Sequence, residues 1–212
     1  MPQVNRVNPF DSWAENYDRT LSTNAYPFAG YKDVVADVVT LAQIRQDHHI
    51  LDLGAGTGNL TARLIGLAGE VWGVDFSEKM LLKAREKVPQ ASFIQYDMRG
   101  SWPAELPARF DRIVSTYVFH HLDDETKVQL LAELASRRLR RRGRLVIGDV
   151  AFQDNAALAR CRESYFATWD DNEHYWVASR IIPQLEQAGF IVNHKQLSFC
   201  GGVFVLQREA TA

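Results

Sequence analysis

The segment Ile50–Leu60 constrains the fold of this chain more than any other part of the sequence. It reads Ile-Leu-Asp-Leu-Gly-Ala-Gly-Thr-Gly-Asn-Leu, an apolar strand pattern that runs into three alternating glycines and then into a helical pattern. Glycines at positions 54 and 56 permit a sharp turn and let a ligand approach bare backbone. The unpaired N–H groups at the start of the next helix favour an anion such as a carboxylate. A loop of this kind is typical of doubly wound α/β sheets that bind nucleotide-like cofactors.

The spacing of the glycines differs from that of dinucleotide-binding loops. The G-x-G-x-x-G fingerprint would put its third glycine at position 59, but Asn59 stands there and the third glycine is Gly58. A second strand pattern ends at Asp75, 19 positions after Gly56, close to the roughly 20-residue offset at which an acid meets the ribose hydroxyls. The alternative, that Asp75 caps the next helix, is weaker because Ser77 is better placed for that role.

The G-x-G-x-G spacing followed by Asp75 resembles motif I and the ribose-binding acid of class I S-adenosylmethionine-dependent methyltransferases. The segment 92–98 resembles the part of that family whose acid accepts a hydrogen bond from the adenine amino group. This implies that Asp97 binds adenine and that Met98 packs on the ring. An open alternative is that Asp97 merely starts the turn 97–100, a position that aspartate favours. The segment 110–117 resembles motif IV of the family and leads to Phe119-His120-His121-Leu122.

Near the start of the chain, Phe10–Asp18 resembles the amphipathic segment by which small members of this family cover the bound cofactor. The resemblance implies that Tyr17 lies near the sulfonium, since an aromatic face attracts a cation. The alternative is that these aromatic residues dock on the core, and for Trp13 we favour it. The resemblance covers roughly residues 10 to 150, and the YrrT-like set of bacterial methyltransferases is the nearest group, one that gives no secure substrate. It implies a cofactor site made of Tyr17, Gly54, Ala55, Gly56, Asp75, Phe76, Asp97 and Met98. No metal site and no catalytic residue are assigned.

Composition places the chain among ordinary globular proteins. With 212 residues and 46% hydrophobic content, it is long enough for one α/β domain over residues 1–212. We expect a helical cover at 1–45 and a candidate substrate lid at 152–178. A net charge of −2 and two cysteines give no pull toward nucleic acid and no disulfide framework. The first residues lack a signal-peptide core and no apolar run is long enough for a membrane span. The expectation is a cytoplasmic monomer or homodimer that binds neither nucleic acid nor membrane.

Helical and strand patterns alternate along the chain, which predicts a mostly parallel sheet. Strands are predicted near Ile50–Leu53, Val71–Val74, Ser92–Gln95, Arg112–Ser115, Leu145–Asp149, Phe190–Leu197 and Val203–Gln207. A helix from about Ser179 to Ala188 precedes the last two strands, which a turn around Cys200–Gly202 joins. Together with the resemblance, this predicts a Rossmann-like, doubly wound, mostly parallel seven-stranded sheet with helices on both faces and an antiparallel last strand.

An arginine-rich run, Arg137–Gly143, admits two interpretations. It could bind nucleic acid, or it could end the helix that starts near Asp123 or Asp124, with Gly143 as the residue after the helix end. We favour the helix end, because the chain shows no second basic segment and no aromatic stacking stripe.

The residues that would meet a methyl acceptor are less clearly marked. His120 and His121 follow the fourth strand and could take a proton near neutral pH, although packing or loop anchoring is the favoured interpretation. Tyr165 and Trp169 are four residues apart and would share a helix face, either buried or forming a lid with Tyr175 and Trp176. In the lid, Asp170, Asp171 or Glu173 would meet a positive group of the acceptor.

The sequence thus favours an S-adenosylmethionine-dependent methyltransferase acting on a small molecule. Methyl transfer needs little covalent chemistry from the protein, because the sulfonium already carries the activated methyl group. Two alternatives stay open: a non-catalytic or regulatory protein that keeps the cofactor, and a nicotinamide-dependent oxidoreductase. The glycine spacing and the lack of a hydride-transfer constellation disfavour the oxidoreductase.

Overall fold

The computed structural model describes residues 14–21 and 23–208. Its helices and strands alternate through most of this range, as the sequence predicts. The helices are α1 Tyr17–Leu21, α2 Tyr31–Ala42, α3 Thr61–Leu64, α4 Glu78–Lys87, α5 Asp124–Glu133, α6 Asn155–Ser164 and α7 Ala178–Gln187. The strands are β1 His49–Leu53, β2 Glu70–Asp75, β3 Ser92–Gln95, β4 Phe110–Thr116, β5 Leu139–Phe152, β6 Trp176–Val177, β7 Phe190–Gln196 and β8 Gly201–Arg208. Short 3₁₀ turns at Phe119–His121 and Phe166–Thr168 and a π-helical turn at Leu134–Arg138 complete them.

The strands form one mixed sheet in the order β3-β2-β1-β4-β5-β8-β7. Strands β1 to β5 run parallel, and β8 is antiparallel to both of its neighbours, β5 and β7. The predicted doubly wound sheet with an antiparallel last strand is therefore confirmed. The two-residue strand β6 is an addition to the predicted seven, since it pairs with the end of β5.

Both faces of the sheet are covered, as a parallel sheet requires. Val146 and Val150 of β5 belong to one core cluster, together with Val34 and Val38 of α2. The alternate residue Ile147 belongs to the second cluster, with the α7 and α5 side chains Ile181 and Leu131 among others. Because successive side chains of a strand point to opposite faces, β5 fills both cores at once.

The arginine-rich run is divided between the π-helical turn, which ends at Arg138, and strand β5, which begins at Leu139. Helix α5 is capped by Asp123, whose carboxylate accepts from the Thr126 N–H, as predicted. The prediction that Gly143 follows the end of this helix is wrong: β5 already begins at Leu139 and pairs with β4 through a register shift between Phe110 and Arg112. The left-handed residue of this irregular stretch is Arg142, with φ 66°. A Cβ at Gly143 would stand 2.5 Å from Leu139 Cγ, so this position needs glycine for space.

The closing elements agree with their predicted positions. Helix α7 ends before Gly189, which has a φ of 87° and thus the left-handed conformation that favours glycine after a helix. Strands β7 and β8 form the predicted hairpin. Within the described residues, the helices are all too short or too polar to cross a lipid bilayer.

Candidate active site

The glycine loop turns sharply between β1 and α3. The N–H groups of Gly54 and Ala55 both donate to the Val74 carbonyl, each at 2.8 Å, so the loop is tied to the end of β2. Gly54, with φ 78°, could not be any other residue without strain, because a Cβ there would lie 2.3 Å from Val118 Cγ2. At Gly56, with φ 54°, the nearest atom to an added Cβ is a Tyr17 ring carbon at 3.9 Å. The backbone at Gly56 therefore has open space on the side where a side chain would stand.

Asp75 at the end of β2 organises this loop. One carboxylate oxygen accepts from the Gly56 N–H at 2.9 Å and the other from the Ser77 N–H at 2.9 Å. The cap of α4 is Ser77, whose hydroxyl accepts from the Met80 N–H, so the capping alternative for Asp75 does not apply. Asp75 thus stands between two loops at the sheet edge, and carboxylate oxygens can accept further hydrogen bonds from ligand hydroxyls.

Asp97 follows β3 and does open a turn. Its backbone carbonyl accepts from the Gly100 N–H and its carboxylate from the Arg99 N–H. The Arg99 guanidinium also pairs with this carboxylate, at 2.7 Å, and holds the pKa of Asp97 below its usual value. The turn leaves the Asp97 side chain 45% exposed, so the turn geometry does not prevent it from meeting a ligand.

Helix α1 is fastened over the glycine loop by Asp18. Its carboxylate accepts from the Thr57 hydroxyl at 2.6 Å, from the Asn59 amide at 2.9 Å and from Lys87 Nζ at 2.8 Å. Burial alone would raise the pKa of Asp18, but these donors lower it. The contact places Tyr17, the preceding residue, beside Gly56. The part of the predicted covering segment before Ala14, including Trp13, lies outside the described residues.

On the other side of the glycine loop, a histidine is held by a fully buried carboxylate. Asp149 of β5 accepts from His120 through both the backbone N–H, at 3.1 Å, and ring Nδ1, at 2.5 Å. The Trp176 indole and the Val150 N–H also donate to it. Burial would lower the pKa of His120, but Asp149 outweighs burial and raises it; His120 in turn lowers the pKa of Asp149. This ring is fixed in place.

The neighbouring histidine has a carboxylate partner of its own. His121 Nδ1 lies 2.9 Å from a carboxylate oxygen of Glu173. The His174 N–H donates to the His120 carbonyl at 2.7 Å, which brings the loop carrying Glu173 against the histidine turn. His120, His121 and Glu173 offer ligand-type atoms that all lie within 4.8 Å of one another.

An aromatic cluster closes this side of the site. Tyr26 stacks on Tyr165 with ring centroids 4.9 Å apart and on Trp169 at 5.5 Å, and its hydroxyl donates to Tyr175 at 2.8 Å. Tyr165 directly follows the end of α6, and Trp169 follows a 3₁₀ turn. The prediction that the two residues share a helix face is therefore wrong. The two rings meet on Tyr26 instead.

These elements enclose a cavity of about 460 Å³ at the carboxyl ends of β1 to β5. It crosses the point between β1 and β4 where the strand order reverses, the position at which doubly wound sheets bind ligands. Its lining includes seven of the eight predicted cofactor-site residues, namely Tyr17, Gly54, Gly56, Asp75, Phe76, Asp97 and Met98. Ala55 is not part of the lining; its methyl group lies over Gly73.

The lining also shows residues that the sequence left undecided or missed. His120, His121, Asp170, Glu173 and Tyr175 line the cavity, whereas Trp176 is fully buried in the core. Tyr117 was part of a recognised motif but carried no role. It lines the cavity with a left-handed φ of 57°, and its buried hydroxyl has no hydrogen-bond partner among the described residues. Strained backbone and unsatisfied polar groups of this kind concentrate at functional sites.

Comparison with known proteins identifies the class. A family model described as a methyltransferase domain matches residues 50–143. An uncharacterized methyltransferase of Bacillus thuringiensis (strain Al Hakam) is 36% identical over 213 residues, covering 95% of each chain. Another, from Geobacillus sp. (strain WCH70), is 33% identical over 206 residues, covering 88% of this chain and 90% of the relative. The solved DhpI–SAH complex has a TM-score of 0.70 at 18% identity, covering 94% of this chain and 93% of that one.

The fold and these relatives therefore identify a class I methyltransferase. More particularly, this chain belongs to the family of bacterial methyltransferases represented by the Bacillus and Geobacillus relatives.

Proposed function

We propose that this methyltransferase transfers a methyl group from S-adenosylmethionine to a small-molecule acceptor bound in the same cavity. The observation that carries the proposal is the continuity of the cavity. One part is lined by the glycine loop, Asp75 and Asp97, and the other by Tyr117, His120 and Tyr175. DhpI, which shares the fold, was solved as a complex with SAH, the product S-adenosylhomocysteine.

Each part of the cofactor has a group of fitting chemistry. The space beside Gly56 suits the methionine part of the cofactor, the Asp75 carboxylate suits the ribose hydroxyls, and Asp97 suits the adenine amino group. The Tyr17 ring beside Gly56 would attract the sulfonium. When bound, S-adenosylmethionine supplies the activated methyl group. The protein then has to orient the acceptor behind it and exclude water, which can supply ~7–11 kcal/mol of the barrier reduction.

The small size of the acceptor is supported by the shape of the cavity. A volume of about 460 Å³ falls in the range of small-ligand sites, roughly 300–1,000 Å³, and the cofactor takes part of it. The segment 152–178 is the proposed lid, because Thr168, Asp170, Glu173 and Tyr175 line the cavity while Tyr165 and Trp169 brace Tyr26. The acidic groups favour an acceptor with a positive or metal-bound portion.

We place the protein in a reducing, cytoplasmic setting. The two cysteines, Cys161 and Cys200, are both free and buried, and burial raises the pKa of each thiol. Neither is poised to form a disulfide.

Two measurements test the proposal. Calorimetric titration should show binding of S-adenosylmethionine and S-adenosylhomocysteine but not of NAD; binding of NAD alone would overturn it. Incubation with methyl-labelled S-adenosylmethionine and a panel of thiols, phenols, amines and carboxylates should label at least one compound. Cofactor binding without labelling of any small molecule would instead favour the non-catalytic alternative.

A further inference from the structure

The pair of histidines and Glu173 form a group that the reaction as proposed does not require. His120, His121 and Glu173 supply two imidazole nitrogens and a carboxylate oxygen within 4.8 Å of one another, all on the cavity wall. Two histidines and one carboxylate are a ligand set of catalytic zinc sites, where the remaining position is left for water or substrate. Methyl transfer from a sulfonium needs no metal, so the cluster calls for an explanation of its own.

We propose that His120, His121 and Glu173 bind a divalent transition-metal ion, of which Zn²⁺ fits the donor set best, and that its open position receives a heteroatom of the acceptor. The site stands on its own geometry; the role assigned to its open position rests on the proposed methyl transfer.

The separation of the donor atoms supports the site. Metal–ligand bonds of ~2.0–2.2 Å place two neighbouring donors about 3 Å apart, and His121 Nδ1 already lies 2.9 Å from Glu173 Oε2. The full spread of up to 4.8 Å is wider, so binding would draw the outermost groups together by up to about 2 Å. Glu173 lies in a segment without helix or strand, which can make this adjustment.

The surroundings of His120 are those of a supported metal ligand. Its Nδ1 is held by Asp149 at 2.5 Å, so Nε2 is the ring nitrogen that remains for a metal. Histidine ligands of metals nearly always have a carboxylate or carbonyl partner on their other nitrogen, which fixes the ring and raises its basicity. Asp149 is itself fully buried and held by the Trp176 indole.

The backbone also holds the two halves of the cluster together. The His174 N–H bonds the His120 carbonyl at 2.7 Å, which keeps Glu173 opposite the histidines. The nearby cation Lys127 does not compete with a metal ion for the Glu173 carboxylate. Its ammonium group instead donates to the His174 carbonyl and pairs with Asp124 at 3.2 Å. Lys127 therefore fastens the same loop.

An open metal position would select the acceptor. A divalent ion binds thiolates, phenolates, alkoxides and carboxylates. It also lowers the pKa of a thiol, hydroxyl or water molecule that coordinates it. The acceptor would therefore be a molecule with such a group beside, or at, the atom that is methylated. The aromatic wall formed by Tyr26, Phe28 and Tyr175 would take its apolar part.

The test is metal binding by the full chain without an affinity tag. Protein freed of metal with a chelator is titrated with Zn²⁺ by calorimetry. A second titration with Co²⁺ is followed by visible absorption, because the d–d bands of bound Co²⁺ report its ligands and their geometry. We expect one ion per chain, and at least tenfold weaker binding in His121→Ala and in Glu173→Gln. His174→Ala is the matched control: its exposed side chain adjoins the site, and the variant should bind metal like the wild type.

Lack of stoichiometric binding by the wild type would overturn the inference, as would unchanged affinity in both ligand variants. Equal loss in His174→Ala would point to nonspecific binding and would also overturn it. Calorimetry with S-adenosylhomocysteine on the same metal-free samples keeps the two proposals apart. Failure to bind it would count against the proposed cofactor, whatever the metal result.

Discussion

Asp52, the acid of the Ile50–Leu60 segment, should make the stability of the protein depend on pH. It is fully buried in β1. The Thr61 hydroxyl donates to one carboxylate oxygen at 2.6 Å, while the other oxygen has no hydrogen-bond partner among the described residues. Burial, and to a lesser degree the charge of Asp75, raise the pKa of Asp52 from 3.8 to about 7 in spite of the Thr61 hydrogen bond.

The direction of this pH dependence follows from the linkage between proton binding and folding. Below pH ~4 Asp52 is protonated in the folded and unfolded chains alike, and its contribution to stability is fully present. Between pH ~4 and ~7 the unfolded chain loses the proton and the folded chain keeps it, so the free energy of unfolding falls. A pKa raised by about three units corresponds to about 4 kcal/mol at ~1.4 kcal/mol per unit, and the loss is complete above pH ~7.

The substitution Asp52→Asn removes this dependence, because the amide keeps an acceptor for Thr61 but cannot ionise. Urea unfolding at pH 5, 6, 7 and 8 should therefore show the variant gaining about 3 kcal/mol relative to the wild type across that range. A buried amide N–H without a partner would cost about 1–3 kcal/mol, but this offset is the same at every pH. Asp47→Asn, whose side chain is 72% exposed in the wild type, is the control without such a gain. Parallel pH profiles for wild type and Asp52→Asn would refute the reasoning.

Four further substitutions separate the roles of the site. Gly54→Ala should lower the free energy of unfolding, measured by thermal denaturation, by about 2–5 kcal/mol, because it combines a left-handed φ with a Cβ 2.3 Å from Val118. Gly56→Ala is the matched variant: the nearest atom to its added Cβ is 3.9 Å away, so the same assay should show a smaller loss of stability. Asp75→Ala should weaken calorimetric binding of S-adenosylhomocysteine by roughly 2–5 kcal/mol, and unchanged affinity would remove Asp75 from the site. Trp169→Ala should reduce turnover of labelled S-adenosylmethionine and spare cofactor affinity, since Trp169 stacks on Tyr26; loss of cofactor binding by a folded variant would contradict the lid.

The residues of the proposed cofactor half could be predicted to lie together, because each belongs to a local sequence pattern. The glycine loop, Asp75 and Asp97 each stand directly after a strand, and parallel strands bring their carboxyl ends to one edge. A strand followed by a glycine turn is a pattern of a dozen residues, and a short window of sequence is enough to detect it. The end of α5 was predicted wrongly for a related reason. Arginines before a glycine are a local pattern typical of a helix end, whereas the pairing of Leu139 with Phe110, which starts β5, is a contact between residues distant in sequence.

The proposed acceptor half depends on contacts that no local pattern reveals. Glu173 reaches His121 across 52 positions, and Asp149 reaches His120 across 29. On the cofactor side, the cover of the glycine loop depends on a distant contact as well, since Asp18 fastens α1 to Thr57 across 39 positions. Tyr165 and Trp169 follow a helical spacing but meet on a third ring, Tyr26. Only the fold brings these partners together, so spacing could suggest the residue types and not their arrangement.

This division has a physical basis in what each half must recognise. The proposed cofactor is the same whatever the acceptor, so we expect a short loop and two acids at fixed strand ends to bind it. The proposed acceptor half is assembled from three parts. The turn after β4 and the loop before β6 are joined by the His174–His120 backbone hydrogen bond, and the aromatic cluster around Tyr26 is the third part. The polar loop side chains of His121 and Asp170 are exposed and can change without disturbing β1 to β5. The rings of Tyr26 and Tyr175, by contrast, pack with strand residues in one of the two core clusters. Acceptor specificity can therefore vary between members of the fold while the cofactor half stays the same.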